Sequence, residues 1–565
     1  MIAFALALLV SPELFRQQCA SCHGEDAHGT AKAPALAANP RIAVQSNEQL
    51  RFFLQHGNPA AGMPAFGDLS SADLLSLVEY VRSLSPAAFI KAAPNPIKIT
   101  WRAPQAGDWL TYNGNLTANR YSDLDQVNTA NVSGLKLKWI YPTQYFGLET
   151  TPLAADGVLY FTAPNQVIAV DALTGAELWK YARPQTAGLQ GDARLGTNRG
   201  VAILNEKVFF VTDNAHLLAL KRANGDLLWD VPLADEPHKY GGTLAPLIVD
   251  DKVIVGVAGA DHGIRGFLAA FQANDGTLVW RRWTVPNEPP VLGGSTWLTG
   301  SYDAQSGTLY WPTGNPYPDS EGEGRPGDNL YTDSILALDA KTGELKWHYQ
   351  FTPHDLLDRD ATEPPVLVDT VYKGQPRRLL LHADRNGFFY VLDRTNGEVL
   401  LAKTFLKRVD WASAIDGKGR PVVIDPNGCP SDAANWSSTA FSPLTGLYYF
   451  LALEECVGKP TGYPDQTGQR FLRAINIETG EIIWEVPQPG PARAITWSGG
   501  LATAGGVVFY GKPNGGFDAV DQRTGETLWH FPTNVRMKAS PITFSVEGKQ
   551  YVVVAAGPNI LCFGL

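Results

Sequence analysis

The chain has 565 residues, too many for one hydrophobic core, so a small domain beside a large one is expected. Its formal net charge is −10 and it contains no basic run, which argues against nucleic acid and an anionic membrane surface as partners. A soluble partner is therefore favoured. The five cysteines lie in three separate parts of the chain.

An apolar run at residues 2–10 opens the chain. It resembles the hydrophobic region of a secretory signal, but it has neither a basic segment before it nor a clear small-residue cleavage site. It is also shorter than the roughly 20 apolar residues that span a bilayer. Residues 1–10 are interpreted either as an export signal, weak or preceded by further residues, or as the first helix of the domain that follows.

Residues 19–23 form the most informative motif, with the sequence Cys-Ala-Ser-Cys-His. Two thiols three positions apart, Cys19 and Cys22, followed directly by His23, are typical of covalent haem c attachment with His as an iron ligand. A zinc site is the alternative, but zinc would need two further Cys or His ligands, and only His28 is near.

A second axial iron ligand is predicted at Met63, followed by a helix from Ser70 to Leu84. The alternative is an ordinary core methionine, although the chain has only three Met. Residues 11–90 thus resemble a small cytochrome c, in which Met ligation raises the haem potential and suits an electron acceptor. Because haem c is attached outside the cytoplasm, a periplasmic location is expected.

A repeat follows a proline-bearing linker at residues 91–105 and fills residues 106–565. Each copy has a Gly turn and then a Trp, and the eight copies end in Trp139, Trp179, Trp229, Trp280, Trp347, Leu401, Trp484 and Trp529. Glycine favours a turn between strands, and an indole can wedge between neighbouring sheets. The sequence therefore predicts an all-β propeller of eight blades behind a small all-α cytochrome c domain.

The eight blades with this Trp repeat, and several local motifs in the same order, resemble the PQQ-dependent alcohol dehydrogenases over essentially all of residues 106–565. The resemblance implies that pyrroloquinoline quinone (PQQ) lies near the propeller axis and stacks on Trp297. The other cofactor-binding residues that it implies are Glu149, Arg199, Thr243, Arg385, Asn435 and Trp497. Each alone has an ordinary alternative as a propeller core residue or a surface pair.

The resemblance also implies a metal ion beside the quinone, bound by Asp261, Asn315 and Asp358. Oxygen ligands suit a hard cation such as calcium. Asp360 follows Asp358 by two residues, and in an extended segment both carboxylates would face one ion. Asp-x-Asp at this position resembles the lanthanide-dependent branch of the family, and added negative charge favours a trivalent ion. The alternative is that Asp360 is a solvated loop acid and the ion is calcium.

Two features depart from the family pattern. Asp261 stands where the family usually has the longer Glu. The adjacent Cys-Cys pair that caps PQQ in many relatives is absent, and Arg194 could stack on the ring in its place. Cys429 and Cys456 are placed like a family disulfide, with two free thiols as the alternative.

The resemblance implies that Asp358 accepts the hydroxyl proton of an alcohol while hydride passes to the quinone, aided by the metal and Arg385. Electrons would then pass to haem c on the same chain and on to an external acceptor such as a soluble cytochrome. Two rivals stay open. One is a cofactor-free propeller scaffold, and the other is a haem protein whose propeller is a docking platform.

Overall fold

The computed structural model describes residues 12–37, 39, 42, 47–57, 62–84, 105, 107–143, 145–236, 238–287, 291–454, 469–488 and 498–565. They form a small helical domain followed by a ring of β-sheets. Within these ranges, no helix is both long and apolar enough to cross a membrane. The apolar run and all of the linker except residue 105 lie outside the described residues, as do Trp497 and Cys456, so those assignments stay predictions.

In its described part, the first domain has a helical stretch at residues 12–18, followed by α1 (Ala20–His23), α2 (Asn47–His56) and α3 (Ser71–Ser83). The predicted helix is confirmed by α3, whose N-terminus is capped by Ser70 as it accepts a hydrogen bond from the Asp73 amide at 3.1 Å. The buried apolar residues of α3 recur at helical spacing: Leu74, Leu77, Val78 and Val81. They help to build a core that also buries the first thiol of the haem motif.

The ring consists of eight blades, each a sheet with four antiparallel strands. The strands begin with β1 (Tyr121–Ser122) and β2 (Lys136–Pro142). Blade 1 contains β3 (Leu153–Ala155), β4 (Val158–Ala163), β5 (Gln166–Asp171) and β6 (Glu177–Ala182). Blade 2 contains β7 (Ala202–Leu204), β8 (Lys207–Val211), β9 (His216–Lys221) and β10 (Leu227–Pro232). Blade 3 contains β11 (Leu247–Val249), β12 (Lys252–Gly256), β13 (Phe267–Gln272) and β14 (Leu278–Trp283).

After β15 (Leu292–Gly293), blade 4 contains β16 (Ser301–Asp303), β17 (Thr308–Pro312), β19 (Ser334–Asp339) and β20 (Leu345–Gln350), with β18 (Pro316–Tyr317) pairing with β15 outside it. Blade 5 contains β21 (Val366–Tyr372), β22 (Gln375–Ala383), β23 (Phe388–Asp393) and β24 (Glu398–Thr404). A separate pair, β25 (Ala412–Ile415) and β26 (Pro421–Val423), follows.

Blade 6 contains β27 (Ala440–Ser442), β28 (Leu447–Glu454), β29 (Gln469–Asn476) and β30 (Ile482–Gln488). Blade 7 contains β31 (Gly500–Thr503), β32 (Val507–Gly511), β33 (Gly516–Asp521) and β34 (Thr527–Pro532). Blade 8 contains β35 (Ile542–Val546), β36 (Lys549–Ala556), β37 (Asn559–Gly564) and the early strand β2.

The ring is closed by pairing the two ends of the propeller sequence. Strand β2 runs antiparallel to β37, with Trp139 opposite Cys562. Strand β1 adds to blade 7 in parallel, with Tyr121 opposite Ala502. The two pairings give β37 and β31 a partner on a side that would otherwise be a free edge.

The predicted role of the repeated tryptophans is confirmed. Six of their indole N–H groups donate to a main-chain carbonyl of the following blade at 2.8–3.2 Å. The turn glycine of that blade lies under the ring: a Cβ on Gly175 would come within 2.7 Å of the Trp139 indole. Leu401 occupies the equivalent place beside Gly480. The Trp of one repeat copy thus packs against the turn Gly of the next copy, and this packing joins neighbouring blades.

Candidate functional site

A cavity of about 390 Å³ opens among the loops of the ring. Its wall comes from segments that precede or interrupt blades 1 to 6 and from the segment before blade 8. Loops from all round a ring meet near its axis, so the cavity lies where the resemblance places the quinone. The predicted residues in its wall are Glu149, Arg199, Thr243, Asp261, Trp297, Asp358, Asp360, Arg385 and Asn435.

Arg199 places a buried positive charge among aromatic rings at the cavity wall. Its Cζ lies 4.8 Å from the ring centroid of Trp297 and 4.3 Å from that of Trp436. Its Nη2 pairs with Glu149 Oε2 at 2.9 Å. Thr243 Oγ1 donates to the Trp297 carbonyl at 3.1 Å, which fixes the backbone that carries the indole. An aromatic surface beside a buried guanidinium suits a flat anionic molecule.

Arg385 holds two carboxylates together at the same cavity. Its Nη2 donates to Asp358 Oδ2 at 3.2 Å and its Nη1 donates to Asp360 Oδ2 at 3.1 Å. The segment is not extended at Asp358, whose φ of 56° is left-handed, so strand alternation is not what brings the two side chains to one guanidinium. The solvated-loop alternative is also wrong, since Asp360 is only 5% exposed.

Asn315 lies directly behind this carboxylate pair. Its backbone N–H donates to Asp360 Oδ1 at 2.7 Å, and its Nδ2 donates to the Pro316 carbonyl at 3.1 Å, which leaves its side-chain Oδ1 to serve as a ligand. Asp261 reaches the cavity wall from a single 3₁₀ turn, Ala260–His262. Carboxylate and amide oxygens are the donor set that a hard cation such as calcium or a lanthanide requires, so these residues fit such an ion.

Negative charge is in excess around the guanidinium. Burial raises the pKa of Asp360 to about 7, with Asp261 adding to the rise and Arg385 opposing it. Although 45% of the Asp358 side chain is exposed, it is exposed within the cavity, where desolvation raises its pKa well above its usual range, again against Arg385 and with help from Asp360 and Asp261. A third carboxylate, Asp432, has Oδ1 3.6 Å from Arg385 Nε. A multivalent cation would relieve this repulsion.

The same wall offers hydrogen-bond donors that suit PQQ. Within the described ranges, the Nε atoms of Arg199 and Arg385 are buried without a hydrogen-bond partner. Lys538 and Asn435 also line the cavity. Together with the Trp297 ring, these groups match the carboxylates, the carbonyl oxygens and the flat face of a quinone, so the residues fit the cofactor.

Sequence reasoning missed several wall residues. Leu195, not Arg194, lines the cavity in the segment where the Cys pair is absent. Asp432 could have been found, because it lies three residues before the predicted Asn435. Lys538 follows no pattern that marks it in advance.

The haem motif lies in the core of the first domain. Cys19 is buried and Cys22 is half-buried, and neither forms a disulfide. His23 Nδ1 forms a hydrogen bond with the Pro34 carbonyl at 2.8 Å, which directs Nε2 toward an iron ligand position. Met63 is partly buried against the same core. These residues fit a covalently attached haem.

The zinc alternative gains no support. Of the residues that the structure describes, the one cluster of three close potential metal ligands lies in the propeller and not beside the two thiols.

Comparison with known proteins identifies both parts of the chain. Residues 109–403 and 472–552 match the family model described as the glucose/ethanol/alcohol dehydrogenase β-propeller domain, named for PQQ. Residues 11–81 match the model of the cbb3-type cytochrome c oxidase subunit III, a cytochrome family. The fold and the site thus define a quinone-type propeller dehydrogenase joined to a cytochrome c domain.

Individual relatives agree with this class. The quinohemoprotein alcohol dehydrogenase ADH IIB of Pseudomonas putida is 36% identical over 537 residues, which cover 84% of this chain and 76% of the relative. The crystal structure of the quinohemoprotein alcohol dehydrogenase of Comamonas testosteroni superposes with a TM-score of 0.74 at 33% identity, covering 81% of this chain and 80% of that one. A europium-containing methanol dehydrogenase superposes with a TM-score of 0.72 at 30% identity, covering 82% of this chain and 98% of that one.

The chain therefore belongs to the quinohaemoprotein branch of the PQQ-dependent alcohol dehydrogenases. This confirms the predicted family and the predicted fold class. It also favours an enzyme over a cofactor-free scaffold or docking platform.

Proposed function

We propose that the protein is a periplasmic dehydrogenase that oxidises an alcohol with PQQ, and that it passes the electrons through its own haem c to an external acceptor. One observation carries this proposal: a single buried guanidinium, Arg385, presents two carboxylates to a cavity with an aromatic wall. Such a group can orient a base and hold a cation at the same place.

The two carboxylates differ in access, which assigns them different roles. The Asp358 side chain is 45% exposed, whereas that of Asp360 is 8% exposed. Asp358 can therefore meet a substrate hydroxyl and acts as the catalytic base. Asp360 is held from behind by the Asn315 amide and acts as a cation ligand only.

The chemistry divides between the cofactors and these side chains. When bound, PQQ supplies the hydride acceptor, and the cation supplies positive charge beside it. Asp358 takes the hydroxyl proton of the alcohol while hydride leaves the adjacent carbon, so the product is an aldehyde or ketone. Arg385 keeps the Asp358 carboxylate aimed into the cavity and adds a positive charge where negative charge develops.

The remaining wall residues hold the quinone. The proposed contacts are Trp297 as the stacking surface and Glu149, Arg199, Thr243, Arg385 and Asn435 as polar contacts. Trp497, which lies outside the described residues, stays a predicted further contact. Leu195 takes the position from which many relatives cover the ring with a Cys pair.

The proposed cation ligands are Asp261, Asn315, Asp358 and Asp360. At equal distance, the Coulomb attraction between a carboxylate and a trivalent ion is about 1.5 times that for a divalent ion. The buried second acid, Asp360, supports a lanthanide over calcium, and the similar europium-containing methanol dehydrogenase agrees with that choice.

The cytochrome domain receives the electrons. Cys19 and Cys22 would hold the haem covalently, with His23 and Met63 as the two axial ligands. An external one-electron acceptor, such as a soluble cytochrome, then reoxidises it.

The test is the conservative variant Asp358→Asn, assayed with PQQ, an alcohol panel, and either calcium or lanthanum. Loss of a general base should lower alcohol-dependent dye reduction by about 10²- to 10⁴-fold while PQQ binding and the haem spectrum stay unchanged. The control is Asp251→Asn, whose side chain is 68% exposed on a turn. Turnover by Asp358→Asn at the level of this control would remove Asp358 from the role of base.

A further inference from the structure

The cytochrome domain contacts the propeller at Arg82. We call the propeller residues that interact with it, Gln185, Asp213 and Tyr145, the socket. Arg82 lies in the last turn of α3 and is only 6% exposed. Its Nη2 donates to Gln185 Oε1, in the loop after β6, at 2.8 Å. Burial lowers the pKa of Arg82 to about 10, while Asp213 and Tyr145 on the propeller oppose that change. A long cationic side chain is buried in this way only where partners compensate its charge.

The socket shares a wall with the cavity. Tyr145 belongs to the cavity lining. Its hydroxyl is hydrogen-bonded to the Gln166 side chain, and Arg82 is close enough to lower its pKa against the rise caused by burial. Tyr145 therefore belongs both to the cavity wall and to the surroundings of the Arg82 guanidinium.

A second contact lies beside the first. Helix α2 of the cytochrome domain lies against the 3₁₀ helix Asp192–Leu195. Leu195 of that 3₁₀ helix is also part of the cavity wall. The cytochrome domain thus covers the outer side of the segment whose inner side faces the proposed cofactor.

We propose that Arg82 is a latch that holds the cytochrome domain over this edge of the cavity, and that the latched position sets the rate at which electrons reach the haem. This rests on the proposed function. Each alcohol releases two electrons and two protons, and ferric haem accepts one electron at a time. The haem is therefore reduced twice per alcohol, and an external one-electron oxidant such as ferricyanide removes each electron.

The latch matters because electron transfer slows steeply as the distance between donor and acceptor grows. Loss of one hydrogen bond to a charged group should make the docked arrangement roughly ten- to a hundredfold less populated relative to the undocked one. The chemical step is untouched, because neither Arg82 nor Gln185 lines the cavity.

The test compares Arg82→Gln, on the cytochrome side, with Gln185→Ala, on the propeller side. The control is Arg16→Gln, which alters an arginine that is 58% exposed and pairs only within its own helical stretch, with Glu13. In the PQQ-free haem protein, we expect faster hydrogen–deuterium exchange of the peptide that contains residues 192–195 in both latch variants but not in the control.

Loaded with PQQ and metal, both latch variants should show slower haem reduction by alcohol, in proportion to the docked population that they lose and by up to about ten- to a hundredfold. Reduction of a dye that takes electrons directly from the propeller should stay at the wild-type rate, and so should the haem spectrum. Unchanged exchange at residues 192–195 together with unchanged haem reduction in both variants would overturn the latch. If the wild-type protein reduces neither dye nor haem, the proposed function fails, whereas the exchange measurement still decides the docking.

Discussion

Replacing Asp360 by Asn removes its charge and keeps one of its two hydrogen bonds, because the Asn Nδ2 cannot accept from Arg385 Nη1 as Asp360 Oδ2 does. The Asn side-chain oxygen can still accept the Asn315 N–H, which donates at 2.7 Å. Arg385 keeps Asp358 as a partner at 3.2 Å and Asp432 at 3.6 Å. The variant therefore removes one buried negative charge together with its hydrogen bond from Arg385 Nη1.

In the metal-free protein this change should be stabilising at neutral pH. Burial raises the pKa of Asp360 from 3.8 to about 7, so between these values the folded protein holds a proton that the unfolded chain has released. The resulting stability is present below about pH 4 and is lost as pH rises through about 7, by about 4 kcal/mol for a shift of about three units. The Asn side chain does not titrate, so Asp360→Asn does not lose this stability as pH rises. The variant should exceed the wild type by a few kcal/mol near pH 7.5, and the difference should shrink toward pH 4.

In the presence of PQQ and lanthanum the stability advantage of the variant should shrink by about 2 kcal/mol or more. Lanthanum at about a hundredfold above its Kd stabilises the wild type by about 2.7 kcal/mol. Losing a direct ligand should weaken binding by more than the roughly 10- to 100-fold that an outer partner costs. The same lanthanum concentration would then stabilise the variant by about 0.4 kcal/mol or less. The loss of affinity for calcium should be smaller, because a divalent ion loses about two-thirds as much attraction.

Urea unfolding followed by tryptophan fluorescence measures all of these differences, with Asp251→Asn as the exposed control. A metal-free Asp360→Asn protein that is less stable than the wild type near neutral pH would refute the charge argument. Equal stabilisation of both proteins by lanthanum would remove Asp360 from the ligand set.

Three further substitutions test other parts of the structure. Met63→Ala should alter the axial ligation and lower the haem midpoint potential in a potentiometric titration; an unmoved potential would mean another ligand. Trp179→Ala should cost the propeller about 3–5 kcal/mol in urea unfolding, because the indole is 1% exposed and donates to the Arg222 carbonyl at 2.8 Å. A cost below about 1 kcal/mol would contradict its role between blades. Leu195→Ala should weaken PQQ binding, measured by difference spectroscopy, whereas Arg194→Ala should not, since only Leu195 lines the cavity.

The propeller was predictable because the two residues of each repeat that contact the neighbouring blades lie close together in the sequence. Gly175 and Trp179 are four residues apart, and each faces a different neighbour: the Gly meets the Trp139 ring behind it, and the Trp donates to the Arg222 carbonyl ahead. A repeat of that pair therefore specifies both a turn and a ring of sheets. Even the Leu401 copy is accommodated, because an apolar side chain of another shape can fill the same gap.

The site was only partly predictable, because its geometry depends on contacts that are distant in sequence. The left-handed backbone of Asp358 is set by the packing of its loop, and no spacing rule could show it. The Asn315 amide meets Asp360 across 45 residues. Arg82 belongs to no motif, and only the docking of one domain on the other reveals its partner Gln185.

Part of the site also lies where the repeat is interrupted. The interval from Trp280 to Trp347 is 67 residues, and that from Leu401 to Trp484 is 83, against about 50 for the regular copies. The first long interval carries the Trp297 stacking surface and the Asn315 amide, and the second carries Asp432 and Asn435. Four strands need only part of such a long interval. The remaining residues form loops that can extend from the sheets to the ring axis. The long intervals therefore locate part of the cavity wall, whereas Asp358, Asp360 and Arg385 lie in the regular interval from Trp347 to Leu401 and no departure from the repeat marks them.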